Sequence, residues 1–356
     1  MKLFISKLHY TLKKDRNIAQ NLVLACLLAL SVFYRLVVWL RNRLYDFKIL
    51  RSYKSEALVV SVGNLTTGGV GKTPVVSEIA NYYSRKGKKT AILSRGYGGS
   101  LDNKLVNLIS DGSGPLVSAQ ESGDEPFWLA ENSLSSFVLT SRNRILAAKD
   151  AKNLYGAEVL VLDDGFQYRK LSRNLNCILV DAKNKFGNEH LLPAGPLREG
   201  FNEVRRADRI IVVNKSSDDK EALKYCDELK TRFKKPVYLC KMMPEVVYNL
   251  TDKNILQKGS RIIAFSAIGQ PKDFYSFLQK DYKLTAVVDF EDHHDYTLSD
   301  IERLVRIARK EKISNLVTTE KDAVKIASLV DFSSVPVSFY ALKLRAVLDL
   351  EDILNG

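Results

Sequence analysis

Short runs of β-branched and other apolar residues recur from about residue 55 onward, separated by stretches with helical spacing. The clearest runs are residues 57–63 (ALVVSVG), 90–96 (TAILSRG), 158–165 (EVLVLDDG), 176–182 (NCILVDA) and 209–215 (RIIVVNK). They are nearly continuous rather than alternating, as parallel strands covered on both faces require. Residues 74–87 (PVVSEIANYYSRKG) read as a helix ending in a glycine suited to a C-cap. A second set of runs follows at 261–269, 283–290, 314–322 and 335–344. The pattern predicts an α/β fold, a doubly wound parallel sheet with a second, smaller α/β domain. Residues 235–250 read as extended connecting chain and set the boundary. The expected division is 1–54, 55–238 and 239–356.

Residues 22–40 break this pattern. LVLACLLALSVFYRLVVWL carries one charge, Arg35, and as a helix would be about 28 Å long, near the thickness of a bilayer core. Lys13, Lys14 and Arg16 precede it, and Arg41, Arg43 and Arg51 follow. No small-residue cleavage site follows, which argues against a signal peptide. The net charge of +13 is concentrated here: residues 1–54 hold eleven Lys and Arg against two Asp, or +9. Nucleic acid would fit the charge alone, but the apolar run points to a membrane surface. The expectation is a membrane-associated helix, either spanning or embedded in one leaflet with Arg35 reaching the headgroups. The four cysteines form no CxxC pair and no cluster with histidine, which argues against a zinc site or a disulfide framework.

The first core run leads into Gly63-Asn64-Leu65-Thr66-Thr67-Gly68-Gly69-Val70-Gly71-Lys72-Thr73-Pro74. Glycines let backbone N–H groups close around phosphate oxygens. Lys72 suits the β/γ-phosphates, and the Thr73 hydroxyl suits Mg²⁺. The helix that follows turns its positive end toward the same phosphates. Thr66, Thr67, Gly68, Gly69, Val70, Gly71, Lys72 and Thr73 are therefore the expected nucleotide-binding residues. The pattern GxxxxGK[ST] would place glycine at 66, where Thr66 stands.

Residues 158–165 form a hydrophobic strand ending in Asp163 and Asp164, the arrangement that holds Mg²⁺ beside a phosphate loop. Adjacent strand residues point to opposite sides, so the two need not share a role. The working assignment gives Asp163 to Mg²⁺ and Asp164 to catalysis, with the reverse left open. Gly123-Asp124-Glu125-Pro126 is a helix-start signal that also offers a carboxylate for deprotonating an acceptor hydroxyl. His293 and His294, two of only four histidines, lie among carboxylates in FEDHHDYT (290–297). An active-site role for one of them is the preferred reading over zinc.

Together these segments resemble the tetraacyldisaccharide 4'-kinase family. The similar motifs are GNLTTGGVGKTP (63–74), LSRGYGG (93–99), GDEP (123–126), DDGFQ (163–167), LLPAGPLRE (191–199), AFSAIGQP (264–271), FEDHHDYT and TTEKDAVKI (318–326). Tyr168 stands where the family usually has His. The resemblance implies a P-loop NTPase-like fold whose two domains are joined by a hinge. It implies transfer of the γ-phosphate of ATP to the 4'-hydroxyl of an acylated glucosamine disaccharide 1-phosphate, giving lipid IVA in lipid A biosynthesis. It further implies ATP and Mg²⁺ as cofactors, inner-membrane phospholipid as a partner, and a place on the cytoplasmic face of the bacterial inner membrane. No nucleic-acid or protein partner is expected. Asp124 becomes the candidate base, and His293 would reach the nucleotide from the second domain.

Three other readings fit less of the chain. A membrane-bound ParA/MinD-type ATPase needs a lysine where Thr67 stands. A GTPase reading of Val213-Asn214-Lys215 needs aspartate where Ser217 stands. A non-enzymatic lipid or nucleic-acid binder leaves the Gly-rich loop and the paired aspartates unexplained.

Overall fold

The computed structural model describes residues 9–10, 18–133, 135–215, 218–269, 271–291, 294–327 and 329–355. In chain order its elements are α1 (Ile18–Asp46), β1 (Leu58–Asn64), α2 (Lys72–Arg85), β2 (Thr90–Ser94), β3 (Asn107–Asp111), α3 (Ala119–Ser122), α4 (Asp124–Asn132), β4 (Ser136–Thr140), α5 (Arg144–Asn153), β5 (Val159–Asp163), β6 (Leu175–Asp181) and β7 (Arg209–Asn214). There follow α6 (Lys220–Phe233), β8 (Val237–Asn249), β9 (Arg261–Ser266), α7 (Pro271–Asp281), β10 (Lys283–Asp289), α8 (Leu298–Glu311), β11 (Asn315–Thr319), α9 (Glu320–Ala327), β12 (Ser338–Val347) and α10 (Leu350–Asn355).

Among the described residues the strands form one sheet in the order β10-β9-β11-β12-β8-β7-β6-β1-β5-β2-β4-β3. Pairing is parallel except between β3 and β4 and between β8 and β12. β1 lies between β5 and β6, so the loop after β1 opens at the centre of the larger lobe, beside the end of β5. In such sheets ligands bind outside the carboxyl ends of the strands.

The near-continuous apolar runs have the expected physical cause: both faces of the sheet are covered. Val75, Val76 and Ile79 of α2 pack with Val60, Val62 and Val161 in one buried cluster. Ala147, Ala148 and Ala151 of α5 pack with Val59, Leu160 and Leu162 in another. Each valine, leucine or isoleucine among them contributes roughly 1.5–3 kcal/mol when fully buried. The smaller lobe has its own core around Phe265, Leu304, Leu316 and Phe339.

Residues 235–250 are extended as expected, but they are more than a connection. β8 pairs parallel with β7 through Val237–Lys241 and antiparallel with β12 through Lys241–Asn249, which makes the sheet continuous between lobes. The boundary drawn at 238/239 falls inside this strand. The chain also returns to the larger lobe at its end. Leu350 and Ile353 of α10 join the α2 core, and Glu351 meets Lys86 at 2.9 Å.

Strands β3 and β4 were not anticipated. Their apolar runs are only Leu108–Ile109 and Phe137–Leu139, between polar residues, and β3 is half-exposed at the sheet edge.

Candidate active site

β1 delivers the chain to the Gly-rich loop. Asn64, at the end of β1, is fully buried and donates from its side-chain amide to the Thr66 carbonyl at 2.8 Å. Thr66 also forms a bridge with Leu197. The first bend of the loop is thus held by a side chain and by a neighbouring segment, which is why glycine is not needed at 66. Gly71 does need to be glycine: its φ is 99°, just before α2 begins at Lys72. From the opposite side, Lys215 Nζ donates to the Gly69 carbonyl at 2.7 Å and pairs with Asp181 at 2.9 Å.

Lys72 Nζ lies 3.2 Å from Asn64 Oδ1 and 3.5 Å from Asp164 Oδ1. Arg198 completes this group. Its Nη1 and Nη2 donate to the two carboxylate oxygens of Asp164, at 2.9 Å each, and Nη2 also donates to the Asn64 carbonyl at 2.8 Å. Burial opposes the charge on Asp164, but the Arg198 hydrogen bonds and the positive charge of Lys72 outweigh it and hold the carboxyl well below the usual range. Asp164 is a fixed anion that orients two cations.

Asp163 is different. Its carboxyl is buried at the end of β5, with Ser94 Oγ donating to Oδ2 at 3.2 Å. Burial, followed by the negative charge of Glu125, pushes it up to about 6. Among the described residues its Oδ1 has no protein partner. Thr73 is also buried, in the first turn of α2.

Asp124 opens α4. The turn before it is set by backbone contact: Gly123 has φ 91°, and a Cβ there would lie 2.5 Å from the Tyr97 carbonyl oxygen. The LSRGYGG segment after β2 and the GDEP segment are therefore packed backbone to backbone. Glu125, the next residue, is near enough to act on Asp163 electrostatically.

LLPAGPLRE stands out in the sequence as a motif, but nothing local in it marks a role for Arg198, nor does the loop mark one for Asn64. The segment is a strap over the loop: Arg198 N donates to the Leu65 carbonyl at 2.7 Å, and Thr67 N to the Pro196 carbonyl at 2.8 Å. The strap is fastened from behind by α1. Ser31 Oγ donates to the Leu191 carbonyl at 2.9 Å, Tyr34 to the Arg198 carbonyl at 2.9 Å, and Arg41 pairs with the fully buried Glu199. The other face of α1 is bare: Leu30, Val32, Phe33, Leu36, Val37 and Trp39 are each more than half exposed.

Beside Asp164 and Arg198 lies a cleft of about 520 Å³ whose wall includes Arg95, Lys104, Arg142 and Arg144. Tyr168 lines it too, under the guanidinium of Arg144 at 5.2 Å. His293 lies outside the described residues. His294 is engaged structurally: it is 3.0 Å from Asp300 and stacks on Phe290.

A parallel sheet, a phosphate loop opening onto a helix N-terminus, and an acidic strand end beside it define a P-loop NTPase-like protein. The comparisons with known proteins narrow the class. Residues 23–355 match the family model described as tetraacyldisaccharide-1-P 4'-kinase, and the chain belongs to that family. The tetraacyldisaccharide 4'-kinase of Syntrophus aciditrophicus is 38% identical over 328 residues, covering 88% of this chain and 87% of that one. That of Halothermothrix orenii is 30% identical over 362 residues, covering 96% and 94%. Among solved structures, the "apo" form of LpxK from Aquifex aeolicus in complex with ATP matches with a TM-score of 0.74 and 30% identity, covering 93% of this chain and 97% of that one.

Proposed function

We propose that this enzyme transfers the γ-phosphate of ATP to the 4'-hydroxyl of a tetraacylated glucosamine disaccharide 1-phosphate, the step of lipid A biosynthesis that yields lipid IVA. The observation that carries the reading is the joining of Lys72, Asp164 and Arg198 under a strap that α1 holds in place. One unit combines a phosphate site with an apolar helix. The basic cleft beside it suits an anionic sugar headgroup.

Lys72 neutralises charge on the β/γ-phosphates, with backbone N–H groups of residues 68–73 around them. Asp124, at the first position of α4, takes the proton of the attacking hydroxyl. Asp164 holds Lys72 and Arg198 in register rather than exchanging protons, since its carboxyl stays ionised.

The residues fit Mg²⁺. Asp163 presents a buried oxygen with no protein partner among the described residues, and Thr73 a hydroxyl in the same domain. Among the described residues no cluster of three metal-ligating side chains exists, which suits an ion that takes one carboxylate and completes its shell with phosphates and water. When bound, it supplies charge neutralisation to the transferring phosphoryl group.

The bare face of α1 fits a lipid surface. Val23–Asp46 is long and apolar enough to cross a membrane, and only 11% of its apolar window is buried in the protein. The reading places the enzyme at the cytoplasmic face of the bacterial inner membrane, where the phospholipid and the glycolipid substrate lie together. The antiparallel pair β8–β12 is the hinge proposed between the two lobes, and the role of His293 rests on the FEDHH motif. Lys72→Ala tests the nucleotide site: transfer should be abolished, and near-normal turnover would overturn the assignment.

A further inference from the structure

The TTEKD segment is not used by the phosphate site, yet it is one of the places where the second lobe touches the first, the Lys183–Asp273 pair at 3.0 Å being another. Asp322 faces its own lobe, accepting from the Ala267 amide at 3.1 Å and from Thr319 Oγ1 at 2.8 Å. The two residues before it face the other way. Glu320 Oε2 accepts from the indole Nε1 of Trp128 at 3.0 Å, and Oε1 from the Tyr248 hydroxyl at 3.4 Å. Lys321 pairs with Glu125 at 3.2 Å.

Trp128 and Glu125 belong to α4, and Trp128 follows Asp124 by four residues, so the two share a helix face. Trp128 is buried, and its indole N–H, the only donor of the side chain, donates to an acceptor from the opposite lobe. Tyr248 comes from β8, the strand shared by both lobes. Glu320 thus ties together α4, α9 and the inter-lobe ribbon. The Lys321–Glu125 pair is half-exposed and contributes little by itself. The buried contact is the one that can transmit position. Burial pushes the Glu320 carboxyl up to about 7, against the lowering effect of the Trp128 hydrogen bond, as expected of an acid enclosed between lobes.

We propose that Glu320 is a positioning residue for phosphoryl transfer: supplied by the second lobe, it grips Trp128 and thereby sets α4, and with it Asp124, against the phosphate site. The proposal rests on the reading of Asp124 as the base.

The chain has two tryptophans, Trp39 and Trp128, so the Trp39→Phe protein reports Trp128 fluorescence alone. In that parent, Glu320→Ala should shift Trp128 emission to the red and lower kcat by 10- to 100-fold, with the KM for ATP changing less than about threefold. Glu320→Gln keeps an acceptor for the indole and should stay within about threefold of the parent in kcat. Trp128→Phe should lower kcat, and adding Glu320→Ala to it should cost little more, because both remove one contact. Unchanged emission in Glu320→Ala would show that the contact does not form in solution, and normal kcat with shifted emission would show that it does not position α4. Either overturns the proposal, as does a Glu320→Gln protein as slow as Glu320→Ala. Asp124→Asn is measured alongside. If it keeps normal turnover, the base assignment fails; if it is inactive while Glu320→Ala is normal, only the inter-lobe grip fails.

Discussion

Arg198 forms a two-pronged ion pair with Asp164, each terminal guanidinium nitrogen 2.9 Å from a carboxylate oxygen, and Lys72 approaches the same carboxylate at 3.5 Å. One anion therefore holds two cations at the mouth of the phosphate loop. Charge-assisted bidentate pairs of this kind fix direction as well as distance.

Replacing Arg198 separates geometry from charge. Arg198→Lys keeps the positive charge but cannot reach both oxygens and the Asn64 carbonyl together. It should lower kcat by roughly tenfold, and Arg198→Ala by 10²-fold or more, as for other groups that stabilise developing charge. Steady-state kinetics with varied ATP checks this. Equal activity of the lysine variant and the parent would show that the fork has no catalytic consequence.

The aspartates at 124 and 163 should fail differently. Asp124→Asn should bind ATP with Mg²⁺ almost normally and lose turnover by about 10²–10⁴-fold, the range for a lost general base. Asp163→Asn removes a proposed Mg²⁺ contact, so nucleotide affinity should fall as well and higher Mg²⁺ should partly restore activity. Titrating Mg²⁺ against activity and ATP affinity compares them. Rescue at 124 with none at 163 would reverse the two roles.

The bare face of α1 gives a membrane prediction that does not require truncation. Deleting the helix would also remove Tyr34 and Arg41 from the strap, confounding attachment with catalysis. Phe33→Glu with Val37→Glu changes only exposed positions. Vesicle co-sedimentation should fall at least tenfold, since burying one such side chain is worth about 1.5–3 kcal/mol. The thermal midpoint should hardly move. Undiminished sedimentation would mean that another surface binds lipid.

What was legible in the sequence follows from how local the cause is. β1, the Gly-rich loop and α2 are written in consecutive residues 57–87, where apolar run, glycine turn and helical period each act over a few positions. β5 with Asp163 and Asp164 was legible for the same reason. Arg198 was not, because its function depends on a strap that returns to β1 from more than 130 residues away. β8 read as a linker because its burial is mixed, pairing with one lobe at each end. The contact of Trp128 with Glu320 spans 192 residues and has no local signature at all.

The most direct test is the reaction itself. The intact protein is incubated with ATP, Mg²⁺ and tetraacyldisaccharide 1-phosphate in mixed micelles, and the glycolipid is examined by mass spectrometry with fragmentation to place the new group. The account predicts one added phosphoryl group on the 4' position of the distal sugar, absent in Lys72→Ala. ATP consumed with no change in the glycolipid mass, or phosphate added at another hydroxyl, would contradict it.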